Sequence, residues 1–116
     1  MKILVQHVNF NETTGNPEGF TDVAEVDVSS MSELSRMDQL EYAYRWTNNV
    51  MGSWSRSDIE DNGDFNPKVT RLAPLPVYNG KTFGLRSTSV GDRMTINGCT
   101  YKVGAFGFEL VELEAA

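Results

Sequence analysis

The segment with the greatest density of polar side chains is RSTSVGD, which runs from Arg86 to Asp92. An arginine beside the hydroxyls of Ser87 and Ser89, with a turn glycine nearby, can bind a phosphate or a carboxylate. The same residues can also form a tight turn into a strand, in which Asp92 caps the turn and Arg86 pairs with a carboxylate elsewhere. The sequence favours the turn and leaves a small anionic ligand at Arg86, Ser87 and Ser89 as the alternative.

Aromatic residues are concentrated between Tyr42 and Trp54, together with one arginine. Aromatic side chains and arginine are the usual anchors of binding surfaces, and both stack on planar ligands. The helical spacing predicts that Tyr44 lies in the core, which leaves Tyr42, Arg45, Trp46 and Trp54 as candidate binding residues. Tyr42 and Trp46 either close the edge of the core or contact a partner. Trp54 is either a surface anchor or a lid over the core.

The residue counts argue against most kinds of catalytic and metal chemistry. The chain has one Cys and one His, so an intramolecular disulfide and a structural zinc site with four Cys or His ligands are excluded. His7 stands in an apolar strand-like run, where a structural role is favoured over a catalytic one. The sequence also lacks the glycine-rich phosphate-binding motifs. We therefore expect no enzymatic activity, no cofactor and no metal.

An acidic run between Asp58 and Asp64 resembles the start of a calcium-binding loop, with Asn62 and Gly63 at the fifth and sixth positions. The twelfth position is Val69, whereas the calcium loop requires a glutamate there. The sequence therefore favours a solvated acidic loop and leaves a weak cation site as the alternative.

The distribution of charge is uneven along the chain. Residues 1–66 carry 12 acidic and 4 basic side chains, and residues 67–116 carry 4 acidic and 6 basic ones, which gives the formal net charge of −6. Nucleic-acid binding requires clustered lysine and arginine, so we expect no nucleic-acid partner. An acidic surface either keeps the protein in solution or steers association with a basic partner.

The length of 116 residues predicts a single domain, residues 1–116. No apolar run approaches the roughly 18 to 20 residues that a membrane-spanning helix needs. The start of the chain lacks the apolar core of a signal peptide. We therefore expect a cytoplasmic protein without a membrane partner.

The N-terminal half predicts a hairpin followed by one long helix. Residues 2–10 and 21–28 have strand composition and are separated by a turn cluster. Ser30 and Glu33 match a capping box, and an apolar stripe from residue 31 to residue 51 predicts an amphipathic helix. Gly52 follows the stripe as a helix stop. Leu40, Tyr44 and Met51 are expected on the buried side of this helix.

The C-terminal half predicts a three-stranded meander. Asn97-Gly98 is typical of a two-residue type I′ turn, which places Met94 opposite Tyr101 and Ile96 opposite Cys99. On the other face Arg93 lies opposite Lys102, and this pair is either solvated or gathered for an anion. Residues 106–110 alternate as a third strand. Short strands are expected at 68–72 and 82–85, and a turn at Asn79-Gly80.

Together these elements predict an α+β fold in which an antiparallel sheet of five to six strands packs on one long amphipathic helix. We expect the helix to cover the apolar face of the sheet. That face carries Ala24, Val26, Val28, Met94, Ile96 and Tyr101.

Two segments resemble known proteins. Arg86-Ser87-x-Ser89-Val90-x-Asp92, followed by Asn97-Gly98, Tyr101, Val103 and Gly107-Phe108, is similar to the YodL-type domain of polyvalent proteins from bacteriophages and other mobile elements. The segment 40–47, with Gly52-Ser53-Trp54-Ser55, resembles uncharacterised phage proteins. The resemblance implies an origin and assigns no catalytic or binding residue.

On this basis we expect a small non-enzymatic accessory protein of a phage or mobile element. Its expected partner is a host or viral protein, such as a component of a host defence system, in the cytoplasm of the bacterial host. Two alternatives are a protein that sequesters a small anionic ligand such as a nucleotide, and a virion structural or assembly protein.

Overall fold

The computed structural model describes residues 1–113. It contains eight strands and one α-helix in this part of the chain. In chain order the elements are β1 Lys2–Phe10, β2 Pro17–Asp27, α1 Arg36–Trp46, β3 Val69–Arg71, β4 Val77–Tyr78, β5 Lys81–Thr82, β6 Arg93–Ile96, β7 Cys99–Gly104 and β8 Gly107–Leu113. Six strands form one antiparallel sheet in the order β3-β2-β1-β6-β7-β8, and β4 and β5 form a separate hairpin.

The N-terminal hairpin is confirmed. Ile3 pairs with Val26 and Val5 with Ala24, so the apolar residues of β1 and β2 share one face of the sheet. Strand β2 begins at Pro17, earlier than expected, because the turn after β1 is short and the two strands keep pairing beyond their buried part.

The C-terminal meander is confirmed with the expected register. Asn97 and Gly98 have φ values of 50° and 75°, as a type I′ turn requires. Met94 lies opposite Tyr101 and Ile96 opposite Cys99. Strand β6 also pairs with β1, which joins the two hairpins into one sheet.

The two short strands are confirmed in part. Strand β3 lies at the sheet edge within the predicted range 68–72. The turn at Asn79-Gly80 joins β4 to β5, but the strand expected at 82–85 is wrong because β5 ends at Thr82. From Leu85 onward the chain contacts the loop after α1 instead, and the Leu85 amide donates to Ser55 Oγ at 2.7 Å.

The predicted long helix is wrong at both ends. A single 3-10 turn covers Ser29–Met31, and α1 begins after Ser35, whose Oγ accepts a hydrogen bond from the Asp38 amide at 3.1 Å. Ser35 therefore caps the helix in place of Ser30. The helix ends at Trp46 because the amides of residues 50–52 donate to Asp64 instead of to helix carbonyls.

The core lies between α1 and one face of the sheet. Leu40 is fully buried as expected, but Tyr44 is 36% and Met51 75% exposed. Tyr44 packs edge-to-face on Phe108, with ring centroids 6.0 Å apart, and Met51 lies beyond the helix end. The predicted sheet-face residues are all buried: Ala24, Val26, Val28, Met94, Ile96 and Tyr101. The fold is therefore mostly antiparallel sheet with one short helix. Within the described residues no helix is long and apolar enough to cross a membrane.

Candidate functional site

Asp92 is the centre of an ion pair between the two hairpins, in which the Arg86 side chain is 44% exposed. The Asp92 side chain is fully buried, and its carboxylate accepts two hydrogen bonds from the Arg86 guanidinium, at 2.7 and 2.8 Å. The backbone amides of Val8 and Ser89 donate to the same carboxylate, each at 2.8 Å. Burial raises the pKa of Asp92, but these four donors outweigh it and hold the pKa below its usual value.

The Arg86–Asp92 segment is a turn, as the sequence favoured, with one correction. Arg86 pairs with Asp92 of its own segment, not with a carboxylate elsewhere, because the turn brings the two side chains together. The terminal nitrogens of Arg86 also donate to the carbonyls of Val8 and Ser87. Ser87 Oγ accepts from the Asn49 amide at 2.8 Å, and Ser89 Oγ lies 3.4 Å from Arg86. The groups expected to bind an anion therefore bind one another.

His7 belongs to a buried chain of hydrogen bonds next to this ion pair. Its Nε2 lies 2.9 Å from Thr88 Oγ1, which donates to Thr47 Oγ1 at 2.9 Å. Thr47 in turn donates to the Ala43 carbonyl at 2.7 Å. Each hydroxyl has one proton and a carbonyl only accepts. Every hydrogen bond in this series is therefore donated in the direction from His7 to the Ala43 carbonyl. These hydrogen bonds require a proton on His7 Nε2, and burial, which disfavours the charged imidazolium, leaves Nδ1 without one.

Burial, together with the nearby charge of Arg86, lowers the pKa of His7 from 6.5 to about 4. The unfolded chain then binds more protons than the folded one between these values, so stability falls as pH drops through this window. The free energy of unfolding is expected to decrease by up to about 3 kcal/mol between pH 6.5 and pH 4. Urea denaturation at several pH values measures this slope.

His7→Gln is the matched control, because an amide that does not titrate replaces the only histidine. The variant is expected to lose the slope above pH 4.5, below which carboxylates also begin to titrate. An equal slope in both proteins would show that His7 is not the group responsible.

A second buried carboxylate, Asp64, orders the segment after α1. Asp64 is 1% exposed, and its Oδ2 accepts the amides of Val50, Met51 and Gly52 at 2.6, 2.8 and 2.7 Å. Its Oδ1 accepts from Arg45 at 3.0 Å. Burial raises the pKa of Asp64. The three amides and Arg45 lower this pKa by a larger amount, so that the net shift is downward.

The loop expected to be solvated is therefore partly buried and structured. Asn62 Oδ1 accepts the Ser53 amide at 3.0 Å, and Asn62 Nδ2 donates to the carbonyls of Ser53 and Arg56. Gly52 packs closely against the Asn62 side chain, since a Cβ at residue 52 would be 2.2 Å from Asn62 Oδ1. This glycine therefore has a packing role in place of the predicted role as helix stop. Within the described residues no group of three metal-ligating side chains is present.

Replacing Asp64 with asparagine is expected to lower the free energy of unfolding by about 2–3 kcal/mol, because an uncharged amide accepts fewer of the four hydrogen bonds and leaves buried donors unpaired. Chemical denaturation measures the loss. Asp61→Asn, three residues earlier and exposed, is the control and is expected to change stability by less than about 0.5 kcal/mol. Equal effects of the two substitutions would contradict the role of Asp64.

Three of the predicted binding residues lie together on α1. The Tyr42 and Trp46 rings are 6.3 Å apart, and the Arg45 guanidinium lies 4.2 Å above the Trp46 ring. Tyr42 Oη accepts from Asn66 Nδ2 at 2.8 Å. These side chains are partly exposed, so Tyr42, Arg45 and Trp46 form a stacked cluster at the surface beside Asp64.

Exposed apolar side chains continue this cluster beyond the helix end. Val50, Met51 and Phe65 are 62%, 75% and 50% exposed. The backbone amides of Val50 and Met51 bind the carboxylate of Asp64, which also binds Arg45, and Phe65 follows Asp64 in the chain. We call Arg45, Trp46, Val50, Met51 and Phe65 the helix-end patch. Sequence reasoning missed its last three residues, because Val50 and Met51 continue the apolar stripe of α1 and were expected to be buried. The two asparagines at 48 and 49 were the available sign that the helix ends earlier.

Trp54 is not a surface anchor. It is 4% exposed, its Nε1 donates to the Arg86 carbonyl at 2.9 Å, and its ring stands edge-to-face on His7 with centroids 6.3 Å apart. Of the two roles that the sequence left open, the structure supports the lid over the core. Trp54 thereby links the loop after α1 to the Arg86–Asp92 turn.

Arg93 and Lys102 lie opposite each other on the face of the sheet away from α1. The Arg93 guanidinium lies 4.3 Å above the Phe20 ring, and Lys102 is exposed. Neither forms a salt bridge within residues 1–113. An aromatic ring thus covers part of Arg93, and the solvated state of the pair stays a prediction.

Comparison with known proteins identifies no matching family model, no matching curated protein and no matching solved structure.

Proposed function

We propose that the protein is a small, non-enzymatic binding protein of a bacteriophage or mobile element. In this proposal it contacts a host protein, such as a component of a defence system, in the bacterial cytoplasm. The observation that carries the binding role is the helix-end patch, whose three exposed apolar side chains belong to segments that Asp64 joins to Arg45. The proposed origin rests on the resemblance of residues 86–108 to the YodL-type domain.

The composition of the helix-end patch suits a protein interface. Tryptophan, arginine, phenylalanine and methionine are enriched in interface cores relative to the rest of a protein surface, and tryptophan and arginine are frequent hot spots. The Arg45–Asp64 ion pair and the three amides bound to Asp64 hold the patch in one conformation. A preformed patch loses less conformational entropy when it binds, which favours affinity.

The charge around the patch indicates the kind of partner. Asp58, Glu60 and Asp61 are exposed in the same loop that carries Phe65. Residues 1–66 as a whole carry 12 acidic and 4 basic side chains. Charge complementarity therefore favours a partner with an apolar centre and a basic rim. Association is expected to slow as ionic strength rises, because salt screens this attraction.

The nucleotide-sequestering alternative has less support at the site that the sequence suggested for it. Arg86 is already paired with Asp92, and Ser87 accepts from Asn49. The virion alternative makes a separate prediction, namely that the chain is found in purified particles, whereas the binding proposal requires it free in the infected cell.

The proposal is tested by capture from a bacterial host lysate with purified, immobilised protein. Met51→Glu/Phe65→Glu is expected to reduce recovery of a specific partner at least tenfold, because two charges in an interface core must be desolvated. Both residues are exposed, so the fold is expected to be retained, and a thermal melt checks this.

Phe106→Glu is the matched control, since Phe106 is a fully exposed aromatic residue at the β7–β8 turn, outside the patch. The control is expected to capture the partner as well as the wild type does. Equal recovery by the double variant and the wild type, or no saturable partner at all, would overturn the proposal.

A further inference from the structure

One groove among the described residues has a volume of about 340 Å³. It lies beside β1 and β2 and is also lined by the segment 73–76, Leu85 and Arg86. Its apolar walls include Pro74, Pro76 and Leu85, and its polar groups include His7, Asn9 and Arg86. This volume is at the lower end of the range for small-molecule sites, and mostly apolar walls with a few polar groups are typical of such sites.

One polar atom in this groove lacks a partner. His7 is more than nine-tenths buried, with 7% of its side chain exposed, and its Nε2 proton is used by Thr88. Its Nδ1 accepts no hydrogen bond from the residues that the structure describes. No side-chain nitrogen or oxygen in this part of the chain is fully buried without a partner. Nδ1 therefore reaches the groove that His7 lines, where it offers a hydrogen-bond acceptor.

Two donors are also available at the groove. Thr21 Oγ1 donates to Asn9 Oδ1 at 2.9 Å, which leaves the Asn9 amide NH₂ without a partner among residues 1–113. The terminal nitrogens of Arg86 are used, but its Nε makes no hydrogen bond within the same residues. The groove thus combines one acceptor with two donors.

The groove carries little net charge. The charge of Arg86 is balanced by Asp92, at 2.7 Å, and His7 is neutral at pH 7 because burial lowers its pKa to about 4. A phosphate or a carboxylate would therefore have to compete with Asp92 for Arg86. An uncharged ligand enters without that competition.

We propose that this groove binds an uncharged, flat heterocycle with a cyclic amide, whose N–H donates to His7 Nδ1 and whose carbonyl accepts from Asn9 or Arg86. The proline rings and Leu85 would pack against the faces of the heterocycle. This site is distinct from the helix-end patch, and it does not depend on the protein partner proposed above.

The test is an NMR titration of the ¹⁵N-labelled full chain at pH 7 with three cyclic amides, namely 2-quinolone, uracil and hypoxanthine. Saturable shifts are expected for amides that line the groove, such as Asn9, Ala73 and Leu85. N-methyl-2-quinolone, which lacks the N–H donor, is expected to bind at least about tenfold more weakly than 2-quinolone, because His7 Nδ1 then loses its partner.

His7→Gln separates the ligand contact from the fold. The glutamine Nε2 can still donate to Thr88, but the variant lacks the Nδ1 acceptor, so it is expected to bind 2-quinolone about tenfold more weakly while retaining its spectrum. If this variant does not fold, the comparison of 2-quinolone with its N-methyl analogue on the wild type decides alone. No saturable shift with any of the three compounds, or equal affinity for the N-methyl analogue, would overturn the proposal.

Discussion

Replacement of Asp92 with asparagine is expected to lower the free energy of unfolding by about 2–4 kcal/mol, the cost of losing hydrogen bonds to a buried charged group and leaving buried donors unpaired. The carboxylate is fully buried and accepts two hydrogen bonds from Arg86 and one each from the amides of Val8 and Ser89. An asparagine leaves at least one buried amide unpaired, whereas the Arg86 side chain is 44% exposed and its charge is solvated. Since a small domain has a total stability of about 5–15 kcal/mol, this single substitution is expected to remove a large share of it.

Urea denaturation at pH 7 measures the effect, and Asp22→Asn is the matched control. Asp22 is exposed and accepts one hydrogen bond from Gln6 at 2.8 Å, so its replacement is expected to cost less than about 0.5 kcal/mol. A loss below about 1 kcal/mol for Asp92→Asn would mean that the ion pair does not hold the two hairpins together as described.

Truncation of Trp54 to alanine is expected to destabilise the fold by about 3–5 kcal/mol, the range for large aromatic residues in a core. Trp54 is 4% exposed and is part of the apolar core cluster. Its loss opens a cavity below the loop after α1 and removes the hydrogen bond to the Arg86 carbonyl. Because this bond links the loop to the Asp92 turn, both parts of the structure are expected to loosen.

Thermal and chemical denaturation measure this loss, and two further variants interpret it. Trp54→Phe retains most of the apolar volume but not the Nε1 donor, so it is expected to cost about 1–2 kcal/mol. Phe106→Ala removes a fully exposed aromatic side chain and is expected to change stability by less than about 0.5 kcal/mol. An equal, small effect of Trp54→Ala and Phe106→Ala would contradict the burial of Trp54.

The sheet was largely predictable because its signals are local. Alternation sets the faces of β1 and β2, and Asn97-Gly98 has a strong conformational preference that sets the register of β6 and β7. The pairing of β1 with β6 was not predictable in this way, since it joins strands about 90 residues apart. Likewise, the order of strands depends on long-range packing and not on any single turn.

The helix prediction was wrong because of contacts between residues distant in sequence. The sequence does contain an apolar stripe from residue 31 to residue 51, but its periodicity does not show that a carboxylate further along the chain competes with the helix carbonyls for the backbone amides. Asp64 binds the amides of residues 50–52, and Ser35 caps the helix five residues after the expected cap at Ser30. A carboxylate that accepts three amides replaces the last helical turn.

The candidate site was likewise predictable only in part. Residue types identified Tyr42, Arg45 and Trp46, which the structure brings together. They did not reveal that Trp54 points into the core or that Arg86 and Asp92 pair. They also did not show that Val50, Met51 and Phe65 extend the cluster, since exposure after a helix end depends on where the helix ends.

Photocrosslinking tests most directly the claim that the helix-end patch is the binding surface. A photoreactive phenylalanine analogue is placed at Phe65 in one protein and at Phe106 in another, and both are irradiated in bacterial host cells. We predict a discrete crosslinked product from position 65, to a protein with a basic surface, and none from position 106. A product of the same mass from position 106, or none from position 65, would contradict the assignment.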